Sequence, residues 1–268
     1  MEHREQGIFV AEGEKVVRRL LESNFGVVSL LIPEKWVQQL EGLLQKRSEM
    51  IEVFVAEKEL LERMTGFSMY QGLLAVGKIP SQPSLDEILS RSRRPWLLVA
   101  VDSLTSAENL GALVRNCAAF GVQALIIGET SASPFLRRAV RSSMGTIFQL
   151  PAIELAQGHS SRIAHHASNS PQTATSRLAD TLCYLRDVGV RCVAAHPHGL
   201  AKTPAEADFK RDCCIVFGSE GYGISEPVLN LCDETVAIPM APSVDSLNVA
   251  AAAAVFLYEA QRQRTGKS

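Results

Sequence analysis

Two apolar periods alternate along the chain. Residues 13–22 carry Val16, Val17, Leu20 and Leu21 at helical spacing, and residues 27–32 form a β-branched and leucine run that predicts a strand. The same reading predicts a helix over 35–44, a strand over 52–56, a helix over 58–64 and a strand over 73–76. This set makes a small α/β layer. Residues 79–84 read Ile-Pro-Ser-Gln-Pro-Ser, a linker signal that runs through a short helical pattern to Pro95. The expected division is residues 1–77, a linker at 78–95, and a second unit at 96–268.

In the second unit, strands are expected at 96–101, 124–127, 147–150, 192–195, 214–217 and 236–238. Helices are expected at 108–120, 134–142, 178–188, 226–231 and 248–263. Strands that do not alternate strictly, separated by helices, predict a mostly parallel sheet covered on both faces. Residues 157–177 are rich in Ser, His, Ala, Asn, Gln and Thr without periodicity, as expected of a surface insertion.

The composition, 46% hydrophobic and 21% charged over 268 residues, is that of a globular protein. No apolar run approaches the roughly 20 residues of a membrane span. Residues 1–12 are charged and lack a secretory apolar core, so a soluble cytoplasmic protein is expected. Six cysteines without a C-x-x-C pair read as free thiols in a reducing compartment. His165-His166 and His196-Pro197-His198 lack ligand spacing, and no metal is expected. The net charge of −2 leaves any attraction to phosphate with local clusters: Lys15-Arg18-Arg19, Arg91-Arg93-Arg94 and Arg137-Arg138-Arg141.

Three segments carry candidate chemistry. Asp102–Gly121 (DSLTSAENLGALVRNCAAFG) follows a strand and opens a helix. Asn109 sits near the start of that helix, where free backbone N–H groups meet polar ligands. Arg115 points back over Gly111 and Ala112, which leave its path open. In Ile215–Ser225 (IVFGSEGYGIS) a buried strand ends in three glycines around Glu220, which permits close approach by a ligand. In Val236–Ala254 (VAIPMAPSVDSLNVAAAAA) a strand runs through a proline loop into an alanine-rich helix, with Ser246 or Asp245 as candidate caps. Taken singly, the first segment reads as one with a surface arginine, the second at least equally as a simple turn, and the third as a good helix former filling space.

In this order and at this spacing, the three segments resemble the signature motifs of the SpoU (TrmH-like) branch of the SPOUT RNA methyltransferases. The resemblance covers Trp96 to the C-terminus. Residues 1–77 are more loosely similar to the ribosomal-protein-like RNA-binding domain that precedes it in many members. The resemblance implies a C-terminal trefoil knot, an exception to ordinary topology, and S-adenosylmethionine held by Gly218, Ile238 and Leu247. It further implies transfer of a methyl group to an RNA ribose 2′-hydroxyl, with Arg115 activating that hydroxyl and Asn109, Glu220, Ser246 and Asn248 positioning the reactants. Arginine gives up its proton reluctantly and is a poor base, so Arg115 acts either as base or by stabilising the forming alkoxide.

By the same resemblance the protein works as a homodimer on ribosomal or transfer RNA, ribosomal RNA being slightly favoured; the lack of a long apolar run gives no expectation of a membrane partner. Arg137, Arg138 and Arg141 are candidates to grip RNA phosphates. Two positions depart from the family pattern: Pro242 stands where many members have glycine, and Ala250 where many have serine. A non-catalytic RNA-binding protein on the same fold is the alternative reading. No phosphate-binding G-x-x-x-x-G-K-[ST] motif or dinucleotide fingerprint occurs after a strand.

Overall fold

The computed structural model describes residues 6–57, 59, 60, 63, 72–155, 177–197 and 202–266. The expected helix over 58–64 and the expected insertion over 157–177 lie mostly outside them.

The first unit is a four-stranded mixed sheet in the order β1-β4-β2-β3, formed by β1 (Ile8–Glu12), β2 (Val27–Ile32), β3 (Glu52–Val55) and β4 (Leu74–Lys78). β1 and β2 run antiparallel to β4, and β3 runs parallel to β2. Helices α1 (Glu14–Glu22) and α2 (Lys35–Leu44) pack on it through Val16, Val17, Leu20, Leu21, Trp36 and Leu40. The sequence reading took residues 1–12 only as a charged start. Ile8–Glu12 is a strand, because alternate side chains Phe9 and Ala11 enter the core.

Helix α3 (Leu85–Arg91), within the stretch expected to be a linker, opens with a capping box between Ser84 and Glu87 and packs Leu85, Ile88 and Leu89 into the core of the second sheet. The second unit is a six-stranded sheet in the order β10-β8-β9-β5-β6-β7, and every pairing in it is parallel. Its strands are β5 (Leu97–Val101), β6 (Ala124–Ile127), β7 (Ala152–Glu154), β8 (Arg191–Ala195), β9 (Cys213–Phe217) and β10 (Glu234–Val236). The helices are α4 (Ala107–Ala119), α5 (Arg137–Ser142), α6 (Arg177–Asp187), α7 (Glu226–Leu229) and α8 (Val249–Thr265).

Successive side chains on the central strands enter opposite cores. Val99, Val101, Ile215 and Phe217 face one apolar cluster with α4 and α8, while Leu98, Ala100, Cys214 and Val216 face another with α3, α6 and α7. Burial on both faces explains why these strands read as continuous apolar runs. The first of these clusters is continuous with the core of the four-stranded sheet. Phe9 and Phe25 stack against Phe135 and Phe148 at centroid distances of 5.2–6.1 Å, and buried Glu12 pairs with Arg137 (3.0 Å) and Arg141 (3.4 Å).

Two expected strands are displaced. Residues 147–150 are not a strand. Gly145, in the left-handed region at φ 80°, starts a 3₁₀ turn over Thr146–Phe148, and the strand falls after Pro151. The last strand ends at Val236, three residues before Pro239, whose ring nitrogen cannot donate to a ladder.

Candidate active site

Because the sheet is parallel, β5, β8, β9 and β10 all end at one edge, where open α/β sheets bind ligands. A cleft of about 350 Å³ lies there. Its lining comes from the residues just past each strand: His196 after β8, Gly218–Gly223 after β9, and Ala237 and Ile238 after β10, with Asp245–Leu247 leading into α8.

The loop after β9 closes on itself. Ser219 and Gly223 exchange two backbone hydrogen bonds of 3.0 Å each, and a Cβ on Gly218 would stand 2.1 Å from the Gly223 carbonyl carbon. Glycine at 218 is therefore required by the loop's own backbone. The buried Asp102 carboxylate accepts a 2.7 Å hydrogen bond from the Ser225 N–H and ties the loop's far end to β5.

The three sequence segments meet through one hydrogen-bonded chain. Ser106 caps α4 by accepting from the Asn109 N–H (3.3 Å). Asn109 donates its Nδ2 to the Glu220 carboxylate and accepts at Oδ1 from Asn248 Nδ2 (3.0 Å). Asn248 Oδ1 in turn accepts from the Ala250 N–H (3.0 Å) and caps α8. Each amide uses its donor side toward one neighbour and its acceptor side toward the other, so the relay fixes both amide orientations. It also places the Glu220 carboxylate beside the α4 N-terminus, where the helix dipole favours negative charge.

Asn116 Nδ2 donates to the Ala250 carbonyl (2.6 Å), joining α4 to α8. At its far end α8 is held by Arg264, whose guanidinium donates to the carbonyls of Pro95, Trp96 and Phe209 at 2.7–2.8 Å. At the departures from the family pattern, Ala250 contributes backbone groups to both contacts. Pro242 sits second in a turn closed by Val244 N–H to Ala241 O (2.9 Å), where its fixed φ is suited.

Gly218, Ile238 and Leu247 therefore line one cleft, as do Glu220 and Ser246, and Asn109 and Asn248 join Glu220 at its edge. Arg115 is elsewhere. It is exposed, two turns along α4 from Asn109, in a second cleft with Lys15, Arg19 and Gln149. Arg137 and Arg141 pair with Glu12, and Arg138, largely exposed, pairs with Glu108 (3.3 Å). The sequence reading assigned no site role to Asp102 or to His196 as a cleft residue. Their only signal was position, each immediately following an apolar strand.

The SpoU rRNA methylase family model matches residues 96–161 and 154–258. An uncharacterized tRNA/rRNA methyltransferase of Mycobacterium bovis is 31% identical over 97% of this chain and 82% of its own length. A 23S rRNA (guanosine-2′-O-)-methyltransferase, RlmB of Shewanella oneidensis, is 30% identical over 78% of each chain. Among solved structures, the SpoU methyltransferase AviRb from Streptomyces viridochromogenes, in complex with AdoMet, superposes with a TM-score of 0.79 at 29% identity, covering 99% of this chain and 94% of that one. With its site assembled from the three motif segments at one sheet edge, the chain belongs to the SpoU rRNA methylase family of RNA methyltransferases.

Proposed function

We propose that this enzyme methylates a ribose 2′-hydroxyl of a structured RNA with S-adenosylmethionine as donor, ribosomal RNA being the favoured substrate over transfer RNA. The observation that carries the reading is the Glu220–Asn109–Asn248 relay at the mouth of the strand-end cleft. A cleft of about 350 Å³ is of ligand size. The donor fits its chemistry: Ile238 and Leu247 offer apolar walls to a nucleobase, and the glycine loop exposes backbone groups to the rest. The donor supplies an electrophilic methyl group on a positively charged sulfur.

The chain's own residues bind and orient. Gly218 lets the loop close into a floor, and Ser246 presents a hydroxyl to the cleft. Asn109 and Asn248 hold the Glu220 carboxylate in place. A ribose hydroxyl is a weak nucleophile until charge can develop on its oxygen. Arg115 stabilises that charge through its guanidinium, and the hydroxyl proton passes to solvent once the oxygen has taken the methyl group.

Arg115 lines a different cleft from Leu247, so one chain alone does not bring the two together. A homodimer does. Val244, Leu247, Val255 and Tyr258 form an exposed apolar stripe along α8 and the loop before it, and α8 packs beside α4, which bears Arg115. A second copy covering this stripe carries its Arg115 toward the cleft. A light-scattering mass of one chain at working concentration would reject this assembly.

A trefoil knot is consistent with the path from β10, at the outer edge beside β8, to α8 beneath β5 and β9. That path crosses the strand ends next to the 218–225 loop. Mechanical extension of single chains, falling short of the full contour length, tests the knot. The RNA substrate and six free cysteines support a cytoplasmic setting. Among the described residues no helix is long and apolar enough to cross a membrane.

Methyl-labelled donor, incubated with ribosomal and transfer RNA and followed by mapping of the label, tests the reaction. The expected product is a nucleotide that resists alkaline cleavage at its 3′ side. Label on a base nitrogen or carbon overturns the assignment.

A further inference from the structure

The second cleft, of about 320 Å³, lies between the two sheet units. α1 supplies Lys15 and Arg19. α4 supplies Arg115, Ala118 and Ala119, and the turn after α5 supplies Met144, Thr146 and Gln149. The turn is pressed onto α1. Met144 and Gly145 have φ of 54° and 80°, and Arg19 Nη1 donates to the Met144 carbonyl at 2.7 Å. A Cβ on Gly145 would meet the Arg19 stem at 3.2 Å. Arg19 thus fixes the spacing between the units, and the cleft is a built feature of their junction.

The charges around it are distributed unevenly. Glu14 is engaged by Arg18 (3.0 Å), Glu12 by Arg137 and Arg141, and Glu108 by Arg138. Each of these carboxylates already has a cationic partner. Lys15 and Arg115, both exposed, have no ion pair and no side-chain hydrogen bond among the described residues, and the Gln149 amide has no side-chain partner either. On a chain of net charge −2, two cations and an amide, unpaired among the described residues, line one concave site together with Ala118, Ala119 and Met144.

A flexible ammonium, a planar guanidinium and an amide, without a facing carboxylate, match the oxygens of a phosphodiester. We propose that Lys15, Arg115 and Gln149 form a phosphodiester-binding cleft that holds the RNA backbone across the junction of the two units. The proposal rests on the RNA methyltransferase reading and adds Lys15 and Gln149 to it. It explains how a protein without overall positive charge attracts RNA, through a site that also carries the residue assigned to charge stabilisation. Binding RNA there orients Arg115, because a phosphate shared with Lys15 restricts a side chain that otherwise has no partner.

The test uses the full chain, a fluorescently labelled mixed-sequence RNA hairpin, and anisotropy measured across a salt series. The variants are Lys15→Glu, Lys15→Arg and Gln149→Ala. Each phosphate contact contributes about 0.7–0.9 to the slope of log affinity against log salt. Lys15→Glu is expected to bind RNA about tenfold more weakly near 0.1 M salt and to lose about one such increment of slope. Lys15→Arg should keep the wild-type slope, and Gln149→Ala should weaken binding with little change in slope. Melting temperature and donor binding, measured by calorimetry with S-adenosylmethionine, should match wild type in all three. Unchanged affinity and slope in Lys15→Glu overturn the proposal, as does weaker binding with an unchanged slope. Equal displacement of the hairpin by polyglutamate also overturns it, since the cleft would then take acidic polypeptide as readily as RNA. A wild-type protein that binds the hairpin but not the donor defeats the methyltransferase reading and leaves the cleft result standing.

Discussion

Gly218→Ala and Gly221→Ala place the same methyl group in one loop with opposite expected consequences. At 218 the new Cβ would stand 2.1 Å from the Gly223 carbonyl carbon, 2.3 Å from its oxygen and 2.3 Å from the Ile224 nitrogen. All three are backbone atoms, so no side chain can swing aside. Ordinary contact begins near 3.4 Å, so the two sides of the loop must part by roughly 1.3 Å. That separation breaks the paired Ser219–Gly223 hydrogen bonds. Overpacking costs about 1–3 kcal/mol, and each lost hydrogen bond about 0.5–1.5 kcal/mol. A net loss of about 2–6 kcal/mol corresponds to a melting temperature lower by roughly 5–20 °C for a chain of this size.

The loop is also the cleft floor, so donor affinity should fall at least about tenfold, equivalent to about 1.4 kcal/mol. At 221 a Cβ meets nothing within 4 Å, and Gly221→Ala should leave melting and affinity near wild type. Differential scanning fluorimetry and calorimetry with S-adenosylmethionine read both quantities. A Gly218→Ala protein that melts and binds like Gly221→Ala would refute the claim that close backbone approach shapes this cleft.

Asn109→Asp preserves shape but replaces the Nδ2 donor to Glu220 with a second carboxylate. Methyl transfer to RNA should drop by about 100-fold or more, while donor affinity should change less than threefold; loss of both together would place Asn109 in donor binding instead. Burial pushes the Cys192 and Cys232 thiols up to about 12, so both stay protonated near pH 8, where exposed Cys183 should be alkylated alone within minutes. Since these folded-state values lie above the ordinary 9.0, the stability linked to both thiols is complete below pH 9 and is lost as pH rises toward 12. Rapid native labelling of Cys192 or Cys232, or stability constant across that interval, would contradict the assigned burial.

Much of this architecture was legible in the residue order, for a local reason. The central strands are apolar on both faces, and glycine or proline marks the turns, so β5, β6, β8 and β9 could be placed from hydrophobic runs alone. Asn109, Glu220 and Asn248 came from resemblance to a known family, and the structure joins the three by hydrogen bonds. Short elements were harder. Ile8–Glu12 becomes a strand because Phe9 and Ala11 find partners from far along the chain, and nothing nearby announces them.

What the tertiary structure alone decided is which charges are free and which surfaces face each other. The 27 lysine and arginine side chains cannot be told apart as paired or free from residue order. Only folding brings Glu12 against Arg137 and Arg141, uses Arg19 as a strut on the Met144 carbonyl, and leaves Lys15 and Arg115 without an ion pair among the described residues at one cleft. The physical reason is range. Periodicity reports burial over a few residues, whereas ion pairing depends on distances of 3–4 Å between groups more than a hundred positions apart.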